Sequence, residues 1–135
     1  MHMQGTPQNM QRNPKYHNVV ADIMDFFIKK IACLKNKGIQ NVILDVGFGF
    51  GKTIKHNYQL LNNLHVYQTF ELPMMVGLSR KSMIWKVLET TPQSALNGTT
   101  ALNMVALQQG VKLLRVHDVK AAAEVIKLWE TLGQQ

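Results

Sequence analysis

An α/β fold, built on a parallel sheet with helical crossovers, is what this sequence predicts, and three observations predict it. Three short apolar runs stand at residues 42–45 (VILD), 74–78 (MMVGL) and 111–116 (VKLLRV), the length and composition of buried strands. Helix-periodic segments separate them, which is the alternation of parallel βαβ units. Each run also ends in polar, chemically capable residues: Asp45, then Ser79, Arg80 and Lys81, then Arg115 and His117. A parallel sheet gathers such strand ends on one rim, where α/β proteins build their sites.

Residues 1–15 are polar and carry Pro7 and Pro14, so they read as loop, with residues 1–3 as the tail of a strand or a frayed end. From residue 16 or 18 to 37, Val19, Ile23, Phe26, Phe27, Ile31 and Leu34 recur at spacings of three and four. Asp22 and Asp25 early and Lys35 and Lys37 late suit a helix dipole, and Gly38 is its natural stop. After the strand at 42–45, a helix is predicted over 54–64, with 65–72 either finishing it or forming a loop. A helix starting near Ser82 should turn Met83, Ile84, Val87 and Leu88 inward. Residues 89–98 read as turns, 99–109 as a helix closed by Gly110, and 120–132 as a last helix with Val125, Ile126, Trp129 and Leu132 on one face.

The chain has 135 residues, 46% of them hydrophobic, which suits one globular domain. A formal net charge of +7 fits an anionic small substrate as well as nucleic acid. The lysines are spread over helices rather than gathered with aromatics, so a nucleic-acid partner is not expected. Cys33 alone cannot form an intrachain disulfide. No apolar run approaches membrane-spanning length, and no signal-peptide pattern opens the chain, so the expected location is cytoplasmic, with no membrane partner.

The most unusual stretch is VILDVGFGFGK, residues 42–52. Gly47, Gly49 and Gly51 alternate with Phe48 and Phe50 directly after Asp45. Glycine there permits a left-handed backbone or a close approach, and the phenylalanines can wall a pocket. The spacing fits neither GxxxxGK[ST] nor GxGxxG. Asp45 suits a nitrogen-rich heterocycle or a metal, and equally a helix cap or a salt bridge. Arg115 and His117, two apart on a strand, share a face and suit a phosphate or diphosphate, although His117 also reads as a rim histidine satisfied by its neighbours. Arg80 and Lys81 at a helix start are electrostatically misplaced unless something negative lies there. His2, His17, His56 and His65 lack metal-ligand spacing and read as surface residues. Met1, Met3, Met74, Met75, Trp85 and Trp129 read as packing.

Four motifs in order, MHMQGTPQNMQ, ILDVGFGFGK, LPMMVGLSRKS and RVHDVK, carry a resemblance to the bacterial dihydropteroate synthase family, in its C-terminal half. The resemblance implies a partial (β/α)₈ TIM barrel over residues 1–135, strands five to eight with their crossover helices. The N-terminal half of the pterin-binding domain, with the rest of the site, is then absent, and the chain alone is expected to be inactive. The implied reaction condenses 6-hydroxymethyl-7,8-dihydropterin diphosphate with p-aminobenzoate, giving 7,8-dihydropteroate and pyrophosphate for folate biosynthesis. Carried over by motif, Asp45, Lys81 and Met1 bind the pterin, and Arg115 and His117 bind the diphosphate. Phe50, Gly77, Ser79 and Arg80 border the p-aminobenzoate side, where sulfonamides compete. Gly47, Gly49 and Gly51 shape the loop. Mg²⁺ is implied as cofactor, with no metal ligands in this half, and a homodimer through the C-terminal helices is implied as well. Asp45-Val46-Gly47 departs from the family's usual Asp-Pro-Gly, which removes a fixed φ but no ligand. The rival reading is a non-catalytic module for phosphate or diphosphate ligands, which needs Lys81, Arg115 and His117 but no pterin pocket.

Overall fold

A computed structural model describes residues 1–6, 8–10 and 14–133. The expected loop at Pro7 and residues 11–13 lies outside the described residues. Among the described residues there are five α-helices: α1 (Val19–Asn36), α2 (Ile54–Asn62), α3 (Ser82–Trp85), α4 (Leu96–Gln108) and α5 (Val119–Leu132). Two short strands, β1 (Met75–Val76) and β2 (Leu113–Leu114), pair in parallel with Met75 opposite Leu113 and Val76 opposite Leu114.

The sheet-like layer extends beyond those strands. Leu44 makes a parallel bridge to Met74. The His2 amide donates to the Asp45 carbonyl at 2.9 Å. Residues 1–3, 42–46, 74–78 and 111–115 therefore lie side by side in chain order, the parallel α/β arrangement expected. One face of this layer is buried against the helices through Leu44, Val46, Met74, Val76, Leu78 and Val111. They share a core with Val19, Ile23 and Phe27 of α1 and with Leu60 and Leu61 of α2. Elsewhere on these segments Met1 (56%), Ile43 (50%) and Leu113 (39%) remain exposed.

Local chemistry explains the helix ends. Asn18 caps α1 by accepting from the amides of Val20 and Ala21 at 3.0 and 3.2 Å. Gly38, at φ +76°, ends it as expected. Thr53 and His56 cap α2 reciprocally, Thr53 Oγ1 accepting from the His56 amide and His56 Nδ1 from the Thr53 amide. Asp118 precedes α5 but does not cap it, because both its carboxylate oxygens are taken by Arg80.

Four expectations need correcting. The open segment 65–72 becomes a 3-10 helix at Leu64–Phe70, held to α1 by the Tyr67 hydroxyl donating to the Val20 carbonyl at 2.9 Å. The helix at Ser82 is one turn long. The chain leaves it and bends at Glu89 (φ +50°), so Val87 and Leu88 are half-exposed rather than inward. Helix α4 starts at Leu96, three residues early, with Gly98 in its first turn, where a Cβ would stand 2.4 Å from Ile84 Cγ2. Close docking of α4 on α3 needs that missing side chain. Leu132 is 64% exposed, since the buried residues of α5 are Ala122 and Val125, in its first half.

Candidate functional site

The glycine loop after Asp45 has almost no ladder to hold it, and side chains do so instead. The Asp45 carboxylate accepts from the Gly47 amide at 2.8 Å, closing the turn. Asn57 of α2 accepts from the Gly49 amide and donates to the Thr53 carbonyl, both at 2.8 Å. The loop carbonyls are gripped in turn. Lys52 Nζ donates to Gly47 O at 2.9 Å and Phe50 O at 3.0 Å, Lys81 Nζ donates to Phe48 O, and the Tyr16 hydroxyl donates to Gly51 O at 2.7 Å. Phe48 is fully buried and belongs to the core. Phe50 is half-buried and lies under the Lys81 ammonium, 5.0 Å from its ring centroid. Of the two candidate pocket walls, only Phe50 is therefore available.

The first residues run against this loop. A Cβ on Gly47 (φ +71°) would lie 1.9 Å from the His2 carbonyl oxygen, and one on Gly51 (φ +65°) 2.4 Å from the Gln4 carbonyl oxygen. Both glycines thus serve a left-handed backbone and a backbone-to-backbone approach at once. His2 is a correction: expected at the surface, it is 7% exposed and sits edge-on to Phe26, its ring centroid 5.0 Å away. Lys52 Nζ lies 3.1 Å from His2 Nδ1, so that nitrogen is the acceptor. Burial first, and the Lys52 ammonium second, pull His2 down to about 4. Burial likewise pulls Lys52 down to about 8, with Asp45 opposing and Lys81 assisting the shift.

A buried neutral histidine has a measurable consequence. The unfolded chain takes up this proton near the ordinary pH 6.5, whereas the folded chain resists until about 4. Stability tied to His2 is therefore complete above pH 6.5 and lost as pH falls from 6.5 towards 4. It amounts to roughly 3 kcal/mol at most. Urea titrations at pH 7 and pH 4.5 should show that loss, and His2→Gln should shrink it.

On the rim, Lys81 is half-buried and pulled down to about 8 by burial, with Asp45 opposing and Arg115 assisting. Lys81 thus lies within the electrostatic reach of both rim groups. Gly77, Ser79, Lys81, Arg115, Val116 and His117 line a cavity of about 170 Å³. Gly77 permits it, because a Cβ there would meet Arg115 Nη2 at 2.9 Å. The buried Ser79 hydroxyl contacts both the amide and Nδ1 of His117, at 3.2 and 2.9 Å. The rim therefore brings together Asp45, Lys81, Arg115, His117, Ser79 and Gly77, with Phe50 beside Lys81. Met1 does not line that cavity; it is exposed beside Ile43 and Phe26, and its Cγ lies 3.3 Å from where a Cβ on Gly47 would stand.

Arg80 is a brace. Its guanidinium takes Asp118 with both arms, at 2.9 and 2.8 Å, and donates to the carbonyls of Pro92 (2.9 Å) and Gln93. The Asp118 hydrogen bond holds Arg80 above the ordinary arginine value and Asp118 below the ordinary carboxylate value. Arg80→Ala should release Asp118 and the loop before α4. Amide hydrogen exchange at 90–95 and 118–120 should speed up while that of α1 stays unchanged. Equal exchange in both proteins would argue against the brace.

Sequence reasoning missed His2, Lys52, Asn57 and Asp118 as parts of this site. Asn57 did leave a signal, a polar residue in line with Leu60, Leu61 and Leu64 on the apolar stripe. Lys52 closes the glycine stretch as a cation, though nothing local marks it as buried, and His2 left no signal, since its neighbours Phe26, Tyr16 and Lys52 are distant in the chain.

A family model described as pterin binding enzyme matches residues 1–117. The dihydropteroate synthase of Haemophilus influenzae is 47% identical over 132 residues, 96% of this chain and 48% of that protein. The Escherichia coli enzyme of the same name is 46% identical over 132 residues, 96% of this chain and 47% of its own length. Among solved structures, Yersinia pestis dihydropteroate synthase with a sulfonamide drug superposes with a TM-score of 0.96 at 44% identity, covering 98% of this chain and 49% of that one. The Thermus thermophilus enzyme in complex with 6HMPPP gives 0.92 at 38% identity, covering 97% and 53%. The chain thus spans about half the length of the relatives it matches.

Proposed function

Because this chain belongs to the pterin binding enzyme family, we propose that it is the C-terminal part of a dihydropteroate synthase barrel. Residues 1–3 end the fifth strand, and 42–45, 74–78 and 111–116 form the sixth, seventh and eighth. Their side-by-side order in the chain supports that assignment. The whole enzyme joins 6-hydroxymethyl-7,8-dihydropterin diphosphate to p-aminobenzoate. The observation that carries this reading is the convergence of one buried carboxylate, Asp45, with Lys81, Arg115 and His117 around a single rim.

The roles follow from charge and position. Asp45 accepts N–H bonds from the pterin ring, and Lys81 donates to a ring acceptor, with Met1 packing on the ring. Arg115 and His117 hold the diphosphate. As the C–O bond breaks, its electron pair leaves with the diphosphate, and the preorganised Arg115 guanidinium and the His117 N–H donor stabilise the growing negative charge. The p-aminobenzoate amine forms the new C–N bond and loses its proton. Already nucleophilic, it needs orientation more than a base, and Phe50, Gly77, Ser79 and Arg80 border the side it enters from.

The family's Mg²⁺ would assist the leaving diphosphate. Among the described residues, no three His, Cys, Asp or Glu side chains come together. Asp118 is paired with Arg80, and one oxygen of Asp45 is engaged by Gly47. The described residues of this half do not fit a resident ion.

Exposed Val119, Leu128 and Leu132 on α5 suit the family's homodimer surface. No helix of the described residues is long and apolar enough to cross a membrane.

Calorimetric titration tests the reading. The pterin diphosphate should bind more tightly than plain pyrophosphate, and Asp45→Asn should remove that preference by about tenfold or more. Equal affinity for both ligands would favour a diphosphate-binding module without a pterin pocket. The chain alone is expected to turn over no substrate, and measurable synthesis by it would overturn that part.

A further inference from the structure

We infer that Ser79 is a positioning residue, whose hydroxyl donates to Nδ1 of His117 and fixes the ring as the tautomer with its proton on Nε2, the donor turned to an anion held with Lys81 and Arg115. This rests on the diphosphate reading for the anion, but the hydrogen-bond accounting stands alone. Ser79 is 6% exposed. Its oxygen accepts from the His117 amide at 3.2 Å and lies 2.9 Å from His117 Nδ1.

Two arrangements satisfy those distances. If Nδ1 carried the proton, Ser79 would accept twice, and its own buried hydroxyl proton would have no acceptor among the described residues. Such an orphan donor is costly. If Nδ1 is bare, the hydroxyl accepts from the amide and donates to the ring, and every group is satisfied. The second arrangement prevails. Nor does a carboxylate compete for Nδ1, because the adjacent Asp118 is taken by both arms of Arg80. The ring is left with Nε2–H as its single donor. That is the form a neutral histidine needs to serve a phosphoryl oxygen beside the Arg115 guanidinium. The amide bond also sets where the Ser79 oxygen sits, so the same hydroxyl sets both the proton's place and the ring's angle.

His65 provides an internal contrast. Its amide and its Nδ1 both face Gln109 Oε1, at 3.4 and 2.7 Å, so its Nδ1 carries the proton.

The test is ¹⁵N NMR of the histidine rings in the 135-residue chain, at a pH where imidazole is neutral, joined to titration with inorganic pyrophosphate. His117 should show a bare Nδ1 and a protonated Nε2, the reverse of His65. Ser79→Ala should leave the His65 signal in place, mix the His117 tautomers and weaken pyrophosphate by about two- to tenfold, the effect of one unpositioned side chain. Ser79→Thr, which keeps the hydroxyl, should restore both. A His117 ring that is protonated on Nδ1, or unchanged in Ser79→Ala with His65 intact, overturns the inference. Should the wild-type ring be as expected while pyrophosphate does not bind, the diphosphate reading falls and the hold of Ser79 on the ring stands.

Discussion

Gly47→Ala is expected to destabilise the fold by about 4 kcal/mol, or to drive the first residues off the glycine loop. A left-handed backbone costs an alanine about 1–2 kcal/mol. The new methyl would also meet the His2 carbonyl oxygen at 1.9 Å, and because that atom is backbone, no rotamer change relieves it. Overpacking adds about 1–3 kcal/mol. The contact can only be relieved by moving residues 1–3, which breaks the His2 amide bond to Asp45. Two other glycines separate the two costs. Gly38 (φ +76°) has nothing within 4 Å of its virtual Cβ, and at Gly49 (φ +80°) the nearest atoms are Cδ, Cε and Nζ of the flexible Lys81 side chain, at 3.5–3.9 Å. Alanine at either should cost only the backbone share. Urea denaturation of the three variants is the measurement, and equal losses at all three positions would remove the claim for close approach.

Lys52→Met is the second large effect, about 3 kcal/mol of destabilisation. The ammonium serves Gly47 O, Phe50 O and His2 Nδ1 in a site where Lys52 is 4% exposed. Hydrogen bonds from a charged donor contribute about 1.5–3 kcal/mol each. Against them stands the burial that draws this lysine from 10.5 to about 8, roughly 3 kcal/mol of disfavoured charge at neutral pH. The hydrogen bonds win because Phe50 O and His2 Nδ1 otherwise lose their partner, while Gly47 O keeps only the Phe50 amide at 3.1 Å.

The same shift sets a pH dependence. Between pH 8 and 10 the unfolded chain holds lysine protons that Lys52 and Lys81 have already released in the fold, so stability rises with pH across that window. Above about 10 the trend reverses. Burial holds the Tyr16 hydroxyl up to about 12 and Tyr67 above its ordinary value, so the unfolded chain ionises them first. Thermal melts from pH 7 to 11 should peak near 10, and Lys52→Met should flatten the rising limb without abolishing it, since Lys81 remains. A melt that falls steadily from pH 7 would contradict both lysine assignments.

Much of this was legible from residue order. The three apolar runs, the polar residues ending them and the helix periodicity of α1 and α5 follow from rules that act over a few residues. Asp45, Lys81, Arg115 and His117 were picked out because each ends a run. What could not be read was long-range. His2 and Lys52 stand fifty positions apart, and neither has a local reason to be buried. Arg80 looked like a cation seeking an anion, which it is, but the anion is Asp118 within the chain. The inward face assigned to Val87 and Leu88 failed because a helix of one turn has no periodicity to project.

The side-by-side order of residues 1–3, 42–46, 74–78 and 111–115 also bears on how the molecule assembles. Every strand segment lies against the one before it in the chain, so each closure spans only the crossover between them, α1 first, then α2 with the 3-10 helix, then α3 and α4. Short closures favour rapid folding, and a chain leaving the ribosome can add one unit at a time to a finished edge. Lys52, Tyr16 and Lys81 are reach-backs in this scheme: each ties the glycine loop to a residue some thirty to fifty positions away in the chain, so the loop is the joint at which separate units are fastened together.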